Sequence, residues 1–200
     1  GGAGDGLISG RAGADTLIGD GGFDSPTYNA SSGAVTVNLV TGTGLGGDAE
    51  GDELNSIEHL IGSSKNDTLI GNAGANRLAG GLGNDTLTGN AGADSFVFNS
   101  EPGTTNTDTL TDFTIGSDII ELSKSIYTAL QSGSTPGSLS AASFRYSSNP
   151  STSGGLGEIV YNATTGTLAY DADGAGSGAA RQFAKVSTFL ALSASDFRLA

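Results

Sequence analysis

The first half of the chain repeats itself every nine residues, and that register constrains its fold more than any other feature. Seven segments align: 1–9 (GGAGDGLIS), 10–18 (GRAGADTLI), 19–27 (GDGGFDSPT), 62–70 (GSSKNDTLI), 71–79 (GNAGANRLA), 80–88 (GGLGNDTLT) and 89–97 (GNAGADSFV). Their common form is Gly-Gly-x-Gly-x-Asp-x-U-x, where U is a large apolar residue: Ile8, Leu17, Leu69, Leu78, Leu87 and Phe96, with Pro26 breaking the rule. Six Gly-rich positions suit a tight turn, because glycine allows left-handed backbone and close approach. Three alternating positions suit a short strand with only its middle residue inward. Two units then make one 18-residue coil. Stacked coils pair their strands along the stack and bury a column of U residues from each side.

One apolar residue in nine is a thin core, so the turns need another tie. The sixth position supplies it. Turns on one edge recur every 18 residues, which places Asp67 over Asp85 and Asn76 over Asp94. Carboxylates stacked about 5 Å apart repel. Turn carbonyls released from the strand ladder face the same gap. Two carboxylates with several carbonyls, and no nitrogen or sulfur, describe an oxygen cage that suits Ca²⁺ better than Mg²⁺, which demands a smaller octahedron and keeps its water.

Composition narrows the function classes. The chain has 34 Gly, no Cys, no Met, no Trp and one His. A disulfide framework, a zinc–thiolate site, a thiol nucleophile and a two-imidazole metal site are therefore excluded. The net charge of −13 disfavours nucleic acid and anionic membrane as partners and favours cations. No apolar run is long enough for a transmembrane helix. Gly1 opens inside a repeat without a leader pattern, which leads us to expect a piece of a longer protein.

The nonads resemble the RTX family of secreted bacterial proteins, whose repeats form a parallel β-roll that binds calcium. The resemblance implies an all-β fold: a β-roll over 1–98, with an elaborated rung at 28–61, followed by a β-rich capping region over 99–200. It also implies a ligand set. Each ion takes carbonyls from positions one and three of one turn, carbonyls from positions two and four of the next on that edge, and both sixth-position side chains. One site would then use Gly62, Ser64 and Asp67 with Gly81, Gly83 and Asp85. A second would use Gly71, Ala73 and Asn76 with Asn90, Gly92 and Asp94. The same rule assigns Gly10, Ala12 and Asp15 in the second unit, Asp24 in the third, and Gly80 and Leu82. Three positions depart from the pattern: Gly6 stands where the first Asp is expected, Asn76 removes a charge, and Lys65 replaces the fourth-position Gly.

The 34 residues at 28–61 interrupt the nonads. Residues 35–39 (VTVNL) and 57–61 (IEHLI) read as strands, joined by an enlarged acidic turn on the edge carrying Asp24 and Asn76. Asp48 and Asp52 are expected to bind a further Ca²⁺, the alternative being a solvated acidic loop. His59 is expected as a packing or surface residue.

Glycine thins out after residue 99. Residues 108–123 (DTLTDFTIGSDIIELS) resemble the segment following the last repeat in serralysin-type proteases, and Asp112 or Asp118 would either close the last cage or cap a turn. Residues 123–130 read as a short helix with Ser123 as N-cap. Residues 133–139 and 147–155 read as loops, 158–162, 163–166 and 167–171 as strand, turn and strand, and 181–186 as a further strand. The stretch 171–177, with Asp171 and Asp173, begins like an EF-hand loop but has no Glu at its twelfth place, so a Ca²⁺ loop and a tight Asp/Gly turn both stand. The ending ALSASDFRLA resembles the uncleaved C-terminal signal of type I secretion substrates.

The resulting expectation is a secreted, non-enzymatic module that binds several Ca²⁺ ions. It would pass through a type I secretion apparatus unfolded and fold outside, stabilising and exporting a larger protein. The alternative is a calcium-dependent adhesin, surface-layer or polysaccharide-binding module with cell-surface contact. No phosphate-binding loop or nucleophile elbow is present to suggest catalysis.

Overall fold

The computed structural model describes residues 4–133, 137–148, 156–174 and 177–200. The expected loops at 133–139 and 147–155, and the middle of the loop at 171–177, lie partly outside the described residues. Strands in chain order are β1 (Leu7–Ile8), β2 (Thr16–Ile18), β3 (Ser25–Pro26), β4 (Thr36–Asn38), β5 (Thr43–Leu45), β6 (Glu53–Asn55), β7 (His59–Ile61), β8 (Thr68–Ile70) and β9 (Arg77–Ala79). They continue with β10 (Thr86–Thr88), β11 (Ser95–Phe98), β12 (Asp108–Leu110), β13 (Ile119–Leu122), β14 (Phe144–Tyr146), β15 (Glu158–Asn162), β16 (Thr167–Asp171), β17 (Arg181–Lys185) and β18 (Phe197–Leu199). Among the described residues there is no α-helix, only three short 3-10 turns.

The strands form the two walls of a β-roll. One wall runs β14-β15-β16-β17-β12-β10-β8-β4-β5-β6-β2, and the other runs β18-β13-β11-β9-β7. A parallel pair, β1 and β3, extends the second wall through a bridge between Thr27 and Ile61. The three-residue strands of the repeats, β2, β8, β9 and β10, turn their middle side chain inward. Leu17, Leu69, Leu87 and Leu110 line the first wall, and Leu60, Leu78, Phe96 and Ile120 the second, all buried. The column expected from the nonads is thus present, and Pro26 is buried at its own U position. Ile8 is only partly buried.

The segment 28–61 departs from expectation. Its middle is not an enlarged turn. After β4 the chain reverses, with Asn38 Oδ1 accepting the Val40 and Thr41 amides, and inserts β5 and β6 into the first wall. β5 pairs antiparallel with both β4 and β6, and β6 returns to the parallel ladder beside β2. The inner residue of β5 is Gly44, where a Cβ would lie 2.6 Å from the Ala49 carbonyl. Leu45 points outward and is exposed. The hydrophobic alternation that marks a strand is therefore absent.

Both walls run past the repeats without a break. β12 and β13 add a coil, and β17 and β18 add another. Antiparallel β15, β16 and β17 then carry an aromatic core, in which Phe183 meets Phe98 at 5.0 Å and Tyr127 at 5.5 Å between ring centroids. Ile159 pairs with Tyr170 and Tyr161 with Leu168, and all four are buried as expected. Ile115 is exposed.

The expected helix at 123–130 is a single turn. The Ser123 carbonyl accepts the Ile126 and Tyr127 amides, and Tyr127 then buries its ring against Tyr170 and Phe183. Eight residues rich in Ser, Thr and Tyr have too little propensity and length to extend a helix against that packing. His59 stacks on Phe23 at 5.3 Å and meets Ser25 Oγ at 3.2 Å, a packing role.

Candidate metal centres

Turns leaving the two walls stack into two columns of sixth-position side chains. Along one edge, the Asp67 amide donates to Asp85 Oδ1 at 2.8 Å and the Asp85 amide to Asp108 Oδ1 at 3.1 Å. Along the other, the Asn76 amide donates to Asp94 Oδ1 at 2.8 Å and the Asp94 amide to Asp118 Oδ1 at 3.0 Å. The stacking read from the 18-residue spacing is thus in place. Each carboxylate is held by the amide of the turn beneath it.

This ladder uses one oxygen per carboxylate. Asp85 Oδ2, Asp94 Oδ2, Asp15 Oδ2 and both Asp24 oxygens are buried without any hydrogen-bond partner. Asp24, Asp85 and Asp94 are almost fully buried. An unpartnered buried carboxylate oxygen is costly, so each calls for a cation or a proton. The first glycine of each nonad makes room for this arrangement. A Cβ at Gly10 would lie 2.7 Å from Asp15 Oδ2, and one at Gly62 2.5 Å from Asp67 Oδ2.

Other expected ligands are already engaged. Asp67 accepts the Ser63 amide and hydroxyl and the Val35 amide. Asn76 Oδ1 accepts the Asn72 amide, and its Nδ2 donates to the Glu58 carbonyl. The Asn90 side chain donates to the Gly71 carbonyl, Ser100 Oγ to Gly81 and Ser117 Oγ to Gly92. Each of those carbonyls keeps a second lone pair.

Asp52 is on the opposite edge from the one expected. Its Oδ1 accepts the Asp15 amide at 2.9 Å and its Oδ2 the buried Tyr28 hydroxyl at 2.9 Å. Inserting β5 and β6 adds a reversal, which shifts the acidic loop to the Asp15 side. Glu58 takes the vacant place in the other column, its Oε2 accepting the Asp24 amide at 3.1 Å. Asp48 lies in the 3-10 turn Gly47–Ala49, its amide bonded to Ser31 Oγ.

The columns outlast the repeats. Asp118 continues one of them, with Oδ2 closed by the Thr114 amide. Asp112 instead caps the Gly89 and Asn90 amides. Asp108 continues the other and was not foreseen, because it stands 23 residues beyond Asp85 rather than 18. Its place as the first of three aspartates in 108–123 was the signal that could have found it.

In the cap, Asp171 is buried with Oδ1 unpartnered. Arg145 reaches Asp171 at 3.7 Å and Glu158 at 2.5 Å, so a fixed cation already serves this cluster. Asp173 Oδ2 accepts the Gly178 amide at 2.9 Å.

Burial pushes Asp85 up to about 7, Asp94 to about 6 and Asp108 to about 8, with neighbouring carboxylates adding to each shift. A carboxyl raised in the fold contributes stability that is present below the unfolded value of about 3.9 and is lost as pH rises through the folded value. The metal-free chain should therefore gain thermal stability as pH falls from about 8 to about 5, while proton competition raises the calcium midpoint. Circular dichroism in chelator across that window checks this: strand signal should recover as pH falls toward about 5, and a signal that shrinks instead would contradict it.

Among the described residues, no three His, Cys, Asp or Glu side chains gather closely enough to hold a metal alone. The oxygens come in stacked pairs beside turn carbonyls. None of the described helical segments is long and apolar enough to cross a membrane. No curated protein matches the chain. Residues 1–26 and 61–96 match, in four copies, the family model of a repeat described by the same nine-residue register, the RTX calcium-binding nonapeptide repeat. Within the β-roll, residues 1–26 and 61–96 are thus RTX calcium-binding nonapeptide repeats.

Proposed function

We propose that this chain is a calcium-dependent folding module of a type I-secreted protein, with no catalytic role of its own. The observation that carries the reading is the set of buried, unpartnered oxygens on Asp15, Asp24, Asp85 and Asp94. These oxygens fit Ca²⁺: they are hard, anionic, and flanked by turn carbonyls. Asp85 with Gly81 and Gly83, and Asp94 with Asn90 and Gly92, hold the most regular positions. Gly10, Ala12 and Asp15, and Asp24 in the next turn, hold the earlier ones. The ion supplies charge neutralisation. The chain would supply the carboxylate oxygens, and the first glycine of each nonad leaves room beside them.

Metal binding then becomes folding free energy, since the cages do not exist in the unfolded chain. At low cytosolic Ca²⁺ the chain stays unfolded, which suits export through a narrow conduit, and the absence of Cys agrees with that route. Outside, calcium orders the coils. Asp171 and Asp173 are a weaker candidate, because Arg145 already neutralises that cluster.

Asp85→Ala and Asp94→Ala test the reading by calorimetric calcium titration. Asp85→Ala should raise the calcium midpoint more, because the column beneath Asp94 carries the uncharged Asn76. Negligible effects from both would mean that these acids only cap turns.

A further inference from the structure

The six nonad turns with fully described backbones adopt two conformations. In turns 10–15, 19–24, 80–85 and 89–94, positions two and four both have positive φ. The angles are 66° and 127° at Arg11 and Gly13, 69° and 123° at Asp20 and Gly22, 102° and 124° at Gly81 and Gly83, and 70° and 131° at Asn90 and Gly92. In turns 62–67 and 71–76 no residue has positive φ.

The two closed turns fold on themselves. The position-two amide donates to the turn's own position-six side chain, Ser63 to Asp67 at 2.5 Å and Asn72 to Asn76 at 2.8 Å. The position-four amide donates to the position-two side chain, Lys65 to Ser63 Oγ at 3.0 Å and Gly74 to Asn72 Oδ1 at 2.8 Å. Every turn with positive φ at both positions carries an unpartnered carboxylate oxygen, on Asp15, Asp24, Asp85 or Asp94, and neither closed turn does. The two features are linked: in a closed turn the position-two amide fills the oxygen that an open turn leaves without a partner, and together they divide the six turns.

The sequence explains each closure separately. A φ near +125° is accessible to glycine and strained for a residue with a Cβ. Lys65 at position four therefore bars the open form at 62–67. Gly74 allows it at 71–76, but there position six is Asn76, whose Nδ2 is committed to the Glu58 carbonyl at 2.9 Å. Between these turns and the N-terminal coil stands the inserted rung, where the Tyr28 hydroxyl fills the second oxygen of Asp52.

We infer that calcium enters the roll only at the four open turns, and that the inserted rung with turns 62–67 and 71–76 forms a metal-free section dividing the ions into two sets. One set lies at Asp15 and Asp24, the other at Asp85 and Asp94. This rests on the calcium reading above and narrows it: Asp52, Asp67 and Asn76 are not ligands. The middle of the roll is held by hydrogen bonds, so an ion bound at one end need not order the turns at the other.

Equilibrium dialysis with ⁴⁵Ca on the full chain, and anomalous diffraction from calcium-grown crystals, test the inference. Asp85→Asn should lose one ion per chain. Asp52→Asn should lose none, because its oxygen still accepts the Asp15 amide and the Tyr28 hydroxyl can rotate to accept from the new amide. Lys65→Gly should gain one ion by opening turn 62–67. Anomalous peaks should lie beside Asp15, Asp24, Asp85 and Asp94. A peak ligated by Asp67, Asn76 or Asp52, or a lost ion in Asp52→Asn, would overturn the division while leaving the calcium reading intact. An unchanged count in Lys65→Gly would overturn the role given to position four. A wild-type chain that takes up no calcium would overturn both readings together.

Discussion

Exhaustive chelation should remove most of the strand signal of the roll in circular dichroism, and millimolar Ca²⁺ should restore it. Residues 1–98 hold three basic and twelve acidic side chains. Several of the acids are buried in stacked columns: Asp24, Asp52, Asp67, Asp85 and Asp94 are all nearly inaccessible to solvent. The walls between them contribute one inward side chain per strand, so hydrophobic burial is thin. Without a cation, the folded roll keeps like charges a few ångströms apart with unpartnered oxygens, a cost of several kcal/mol against a usual margin of about 5–15 kcal/mol. With calcium at ten times its Kd, each site returns about 1.4 kcal/mol. A handful of sites therefore moves the balance from one side to the other. A chelated chain with its full native spectrum would show that the roll stands on its hydrogen bonds and leucine columns alone.

Deleting residues 187–200 should be nearly as damaging, and through the fold as well as through export. The tail read from sequence as a secretion signal is also a strand of the second wall. β18 pairs in parallel with β13, and the Ala200 amide donates to the Leu122 carbonyl. Phe197 and Leu199 are buried, and Phe197 packs on Phe144 at 5.5 Å. Arg198 shares Glu121 with Arg77, tying three strands of that wall together. Removing a buried Phe and a buried Leu costs about 2–5 kcal/mol each, and the deletion also bares the edge of β13. We expect the truncated chain to lose its cooperative thermal transition, and a reconstituted type I system to leave it inside the cell. Calcium uptake at Asp85 and Asp94 should persist with lower cooperativity. Normal secretion of the truncated chain would mean that the tail is only a strand.

On the proposed export route, folding and export would oppose each other at this tail. Asp196, Phe197 and Leu199 are buried once the wall is complete. A signal read by a transporter must be exposed, so on that proposal it would be readable only before the chain folds.

The nine-residue register by itself determined the roll, the inward Leu17, Leu69, Leu78, Leu87 and Phe96, and the stacking of Asp67 on Asp85 and Asn76 on Asp94. Period and turn chemistry are local properties, so they survive in a single sequence. The hairpin β15–β16 was legible for the same reason. The tertiary structure alone decided the rest. β5 escaped notice because its inner residue is Gly44, which leaves no apolar signal, and that reversal moved Asp52 to the other edge. Asp108 and Glu58 joined the columns at irregular spacings that only pairing of distant strands could bring into line. The single turn at 123–130 was settled by Tyr127 finding an aromatic core made of residues far along the chain. Which cages stay open was settled by backbone angles at positions two and four. Lys65 and Asn76 were visible as departures in the sequence. What each does to its turn depends on the contacts of Ser63, Asn72 and Glu58, and those exist only in the folded stack.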